Sequence, residues 1–216
     1  DPEMSRGLGD VYKRQTVDTM SGGEQYIYDG GNGTIVTLND GRNNIDEGGT
    51  GTISTMLGGV QNLRGGTGTV STMISGHQNI LVGGTGMIST MSGGSQSVHD
   101  GGTGTVSAMI SGRQDVEGSS AIGTVITMSD DGQQVINFSG TGKVSTMNGG
   151  VQVIDRVGIG IVDVMNSGIQ GIDKGTGTVS TMNNGSQIVR AGGSGTIDVM
   201  ISGEQNITSG AAGTVN

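Results

Sequence analysis

The chain has 216 residues, among them 46 glycines, one proline, one phenylalanine, three tyrosines and neither tryptophan nor cysteine. So few large side chains exclude a thick globular core, and the apolar residues have to be buried in a thin, regular way. The net charge is −9 and the ten basic residues are scattered, which excludes a phosphate-binding stripe and with it nucleic-acid binding.

In chain order, residues 1–15 stand apart. They lack the pattern that follows, and "DVYKRQ" at residues 10–15 resembles the translated end of a transposon sequencing adapter. This segment is expected to be non-native and to add nothing to the fold. It contains no charged segment followed by an apolar signal core, and no apolar run in the chain approaches the roughly 18 residues that span a bilayer. Any secretion signal or anchor is therefore expected outside it, with no membrane insertion by this segment.

From Thr16 a unit recurs. Its register marks are Met20, Leu38, Met56, Met73, Met91, Met109, Met128, Met147, Met165, Met182 and Met200, always 17 to 19 residues apart. A fixed period of this kind is the signature of stacked repeats. Five residues before the mark stands a glycine (Gln15 in the first unit, then Gly33 and so on to Gly195), and three after it another, displaced by one at Gly132. Two residues past that glycine comes Gln, or Asn43 in the second unit, and two further on an aliphatic residue such as Ile27, Leu63 or Val189. Residues 119–134 carry extra length, and a bulge or widened corner is expected there with stacking continuing across it. The final "GTVN" opens a twelfth unit, so the chain reads as truncated.

Short Val/Ile/Thr segments bounded by Gly, Ser and Asn read as strands and turns. Each unit is then one coil of two or three strands, stacked about 4.8 Å from the next, and eleven coils make a rod of roughly 50 Å. The expected fold is all-β: a parallel β-helix (β-solenoid) of about eleven 17–19-residue coils over residues 16–216. Strand alternation puts Gln and the aliphatic residue two later on one inner face, where stacked amides can bond from coil to coil. The glycine columns are expected at corners, where positive backbone dihedrals favour glycine. Ile53 and Met56 are three apart, so placing both inside requires a bend between them, with Met as flexible core filler.

Two repeat families have comparable motifs. "GGTGTVSTM" at residues 65–73 matches the glycines of the nonapeptide calcium roll, but Val70 stands where that roll needs a calcium-binding aspartate, and hard oxygen ligands are required. "STMSGGSQSVHDGG" at residues 89–102 resembles the repeat of AIDA-like autotransporter adhesins, and the resemblance extends over residues 16–216. It implies a passenger segment exported to the cell surface through an outer-membrane barrel, serving as adhesin or stalk. The implied partners are cell-surface receptors of host or bacterium, or other copies of the chain. Some members carry heptose on repeat hydroxyls, which makes Ser54, Thr55, Ser71, Thr72, Ser89 and Thr90 candidate glycosylation sites for a repeat glycosyltransferase.

The alternative is a β-helical polysaccharide-active enzyme, with carboxylates stacked on adjacent coils as acid and base. Asp155 and Asp173 share a column, but each precedes a cation, Arg156 or Lys174, and Arg190 follows them, which reads as a solvated charge ladder. His77 and His99 occupy variable slots. No catalytic, cofactor or metal residue is assigned, and the chain is expected not to be an enzyme.

Overall fold

The computed structural model of the protein describes residues 14–208 and 210–216. These residues form sixteen strands and no helix. Every strand pairing is parallel, and coil follows coil in one continuous stack. The repeat has become a β-solenoid, with like residues facing one another: Met56 beside Met73, and Gln61 beside Gln78. No helix long and apolar enough to cross a membrane occurs among the described residues.

The coil marked by Met56 shows how its residues form three sides. Thr50–Met56 supplies two of them, because its ladder to the next coil runs through Ile53, skips Ser54 and resumes at Thr55. That break is the bend that lets Ile53 and Met56 both be fully buried. Val60–Leu63 forms the third side, with Gln61 and Leu63 inward. Residues 57–59 and 64–66 turn the remaining corners.

Inside, apolar side chains form two columns. One combines the aliphatic residue of the first side with the methionines, and the other is the aliphatic column of the third side. The amides form a ladder of their own. Each NH₂ donates to the amide oxygen of the preceding coil at 2.6–3.0 Å, from Asn43 onto Gln25 through to Gln205 onto Gln187. Along much of the rod the second N–H leans on main-chain carbonyls, as Gln134 does on Gly123 at 3.2 Å. Fully buried amides are tolerable on these terms, since each from Asn43 onward has a partner for at least one N–H, and the amide nitrogen without one is that of Gln25 on the first rung.

One of the two glycine columns differs from its expected role. Glycines three residues past the mark, such as Gly59, Gly76 and Gly94, do have positive φ at a corner. Those five before the mark lie within the first-side strand and face inward. At Gly68 an added Cβ would come within 2.5 Å of Leu63 Cδ2 and 2.6 Å of Gln61 Oε1. This column is required by close packing of the first side onto the amide and aliphatic columns of the third.

The extra length in residues 119–134 resolves into two single-residue insertions with the ladder intact on both sides. One widens the corner at Ser120, the other the turn at Asp130, and both residues take positive φ (62° and 48°). Gly132, the displaced glycine, still pairs with Gly112. At the other end, Arg14 and Gln15 pair with Asn32 and Gly33, so the ladder already includes the two residues before Thr16. Residues 1–13 lie outside the described residues.

Candidate functional site

The six candidate hydroxyls gather on one ridge, the bend between the first and second sides. Thr55, Thr72 and Thr90 are successive ladder partners. Ser54, Ser71 and Ser89 sit at the residue the ladder skips, with Ser71 and Ser89 exposed and the other four half-buried. The column is not all hydroxyl: Val36 and Ile126 occupy the serine position and Ala108 the threonine position. The ridge offers neutral nucleophilic oxygens at the coil repeat, without a neighbouring base in its own columns on these coils.

The carboxylate column behaves differently from a catalytic pair. Asp155 and Asp173 are ladder partners, and Arg190 partners Asp173. Asp155 is occupied, accepting the Arg156 N–H at 2.8 Å and facing its guanidinium at 3.5 Å. Arg156 also lies over the Phe138 ring, 4.8 Å from its centroid. His77 meets the Ser95 hydroxyl at 2.6 Å on the outer face. Among the described residues no three His, Asp or Glu side chains gather around a point that could hold a metal ion.

A surface that the sequence reading passed over lies on the outside of the third side in the first four coils. A groove of about 490 Å³ runs there between Glu24, Tyr26, Arg42, Asn44, Asn62 and Arg64. Strand alternation places these side chains outward as Gln25, Asn43 and Gln61 go inward. Tyr26 and Tyr28 are 47% and 61% exposed, with parallel rings 6.2 Å apart between centroids. The Tyr26 hydroxyl donates to Glu24, which also receives Arg42 at 3.3 Å and the Asn44 amide at 3.4 Å. The hydrogen bond from Tyr26, aided by Arg42, holds the Glu24 carboxyl below its usual range, and the same bond, with the negative charge of Glu24, raises the Tyr26 phenol. Beyond Asn44 the outward amides form a second ladder, Asn62 onto Asn44 at 2.8 Å and Asn79 onto Asn62 at 3.0 Å. Its sequence signal was the run Tyr26, Asn44, Asn62, Asn79, one residue past the glutamine column.

No protein-family model matches the chain, and no curated protein sequence matches it. Among solved structures it is similar to the crystal structure of a TibC-catalysed hyper-glycosylated TibA fragment, with a TM-score of 0.56 and 20% sequence identity. The match covers 94% of this chain and 97% of that one. At this identity the likeness shows the fold: a β-solenoid of the same kind over nearly the whole length.

Proposed function

We propose that this chain is a structural and adhesive segment of an exported surface protein, a stalk within an autotransporter passenger. The observation that carries the reading is the uninterrupted stack: two apolar columns and an amide ladder fill a thin interior, leaving long outer faces on every side. A solenoid that contacts only its neighbours above and below suits a rod that presents surface. The AIDA-like repeat supports the same setting, and the solved relative of like fold is itself a fragment that TibC glycosylates. In this reading a repeat glycosyltransferase modifies the ridge of Ser54, Thr55, Ser71, Thr72, Ser89 and Thr90, whose hydroxyls lie half-buried or exposed at a bend. Receptors on host or bacterial cells, or further copies of the chain, are its partners.

The test is display of residues 14–216 on bacterial cells from a heterologous autotransporter barrel, with and without a co-expressed repeat glycosyltransferase. Faster settling or greater adherence of displaying cells, with added sugar mass mapped by peptide mass spectrometry to the ridge, is the expected result. Cells that neither adhere nor aggregate more than those displaying a plain linker would overturn the adhesive role. Sugar mass confined to other residues would overturn the ridge assignment.

A further inference from the structure

We propose that the groove along Tyr26, Arg42, Asn44, Asn62 and Arg64 is a carbohydrate-binding site for a neutral, extended, β-linked oligosaccharide lying along the rod. The proposal gives a ligand chemistry to the adhesive surface, and rests on that reading for its biological setting but not for the binding itself.

The first support is the contrast between the two amide ladders. Inside, each glutamine from Gln114 to Gln205 uses its second N–H on main-chain carbonyls, and Asn43 and Gln61, which bond only along their ladder, are sealed from solvent. Outside, Asn62 donates one N–H to Asn44 and accepts one from Asn79, and its second N–H finds no protein acceptor among the described residues. A side-chain amide has two donors and two acceptor positions, so each rung turns one donor and one lone pair to solvent. Adjacent hydroxyls on a sugar ring offer the same pairing in reverse.

The second support is the aromatic platform. Tyr26 is an exposed ring on a chain with very few aromatics, and its hydroxyl is tied to Glu24. Glu24 is in turn held by Arg42 and Asn44. A ring fixed in this way loses little freedom on binding, which favours affinity at small contact area. Its apolar body with a polar tip matches a pyranose, which has C–H faces and a hydroxyl rim.

Charge and spacing select the class. Glu24 and Asp46 balance Arg42 and Arg64 around the groove, so no net charge favours a uronate or a phosphate. Arg64 forms no ion pair among the described residues, leaving its planar donor fork available to ring and hydroxyl oxygens. The coil repeat of about 4.8 Å is close to the advance of one sugar in an extended β-linked chain. A coiled α-linked glycan would lose register within a few residues.

The experiment titrates the full chain carrying Tyr12→Phe with cellohexaose, following tyrosine emission, which then comes from Tyr26 and Tyr28 alone. Amide chemical shifts of the unsubstituted chain are followed in parallel. Saturable binding is expected, with shifts concentrated at Tyr26, Arg42, Asn44, Asn62 and Arg64. Binding should weaken about tenfold or more for Tyr26→Ala and by about threefold for Asn62→Ala, each contact being a fraction of a weak total. Maltohexaose should bind about tenfold more weakly, as judged by the same affinity scale. Absence of saturation, shifts elsewhere, or an unchanged affinity in Tyr26→Ala would overturn the site, and tighter binding of a β-linked hexauronate would overturn the neutral class. Shift mapping on the unsubstituted chain keeps the test decisive should Tyr26→Ala fold poorly. Sugar binding by a chain whose display confers no adhesion would refute the adhesive reading alone. Adhesion that survives in a chain without sugar binding would refute the groove alone.

Discussion

The corner that returns each coil from the third side to the first is built differently in the two halves of the rod. In the first five coils the residue with positive φ is glycine: Gly30, Gly48, Gly65, Gly83 and Gly101, all between 67° and 75°. In the second half other residues enter: Ser139, Val157 and Lys174 adopt φ of 69°, 63° and 59°, before glycine returns at Gly192 and Gly210 (81° and 80°). Both kinds of corner close with the same hydrogen bond, Gly84 N–H onto Leu81 O at 2.8 Å and Gly158 N–H onto Asp155 O at 3.0 Å, but in the second the preceding residue, Arg156, also has positive φ (46°), as Phe138 does before Ser139 (48°). Most coils of both halves keep the next glycine, buried against the coil before: an added Cβ would lie 2.7 Å from Leu63 O at Gly84 and 3.0 Å from Ile136 O at Gly158, and only Ala121 and Ala211 stand in its place, the smallest side chain. Close contact limits this second position to glycine or alanine. The stack imposes the path of the corner, and glycine at the first position relieves a dihedral cost that the interior can otherwise carry.

If the interior carries both halves equally, breaking it should cost the same in each, and this is the largest effect expected. Gln96→Leu leaves Gln78 without its donor and Gln114 without its acceptor, and Gln170→Leu does the same to Gln152 and Gln187. Orphaning two buried amide groups costs about 2–5 kcal/mol in each case. Denaturant unfolding of the two variants should give losses that agree within error. A much smaller loss for Gln170→Leu would mean that the C-terminal coils are held together by something other than the ladder.

Exchanging the corner residues is the next sharper comparison. Gly83→Val puts a β-branched residue at φ 72° and should destabilise by about 1–2 kcal/mol. Val157→Gly, its counterpart, should stabilise by about 1 kcal/mol, less than the strain relieved because glycine has more freedom to lose on folding. Opposite shifts in thermal midpoint check the pair. If Val157→Gly destabilises, the valine is packing in a way its 66% exposure does not suggest.

The coil period, the inward amide and aliphatic columns and the bend before methionine were legible because each is written eleven times, and averaging over copies removes the noise of any one. The glycine five before the mark was misread for a physical reason. Glycine enters a sequence both for positive φ and for lack of a Cβ, and the two demands look identical until the neighbouring coil is in place. The groove was harder still, because Tyr26, Asn44 and Asn62 are one residue off the repeated columns and vary from coil to coil. A site built from departures from the repeat is hidden by reading for the repeat.

The smallest expected effect concerns how each half anchors its exposed aromatic. Near the start, Tyr26 is tied to Glu24, a contact between two titrating groups. Further along, Phe138 lies under Arg156, a contact that involves neither a carboxyl nor a phenol. The Glu24 carboxyl is lowered from 4.5, so what it contributes is present above that value and is lost as pH falls through its folded pKa. The Tyr26 phenol is raised from 10.0, so its share is present below that value and disappears as pH rises through the folded pKa. Carbon NMR titration of the Glu24 carboxyl and the Tyr26 ring should therefore show a link intact between these limits, and Glu24→Gln should return the phenol toward ordinary tyrosine behaviour. The Phe138 ring should show no transition of its own across the same range. Thermal stability should change by no more than error in either case, because both groups of the Glu24–Tyr26 pair are solvated and screening leaves such surface contacts little net weight. An unshifted Tyr26 would show that its ring is free to rotate away from Glu24, and would remove the pre-ordering on which the groove depends.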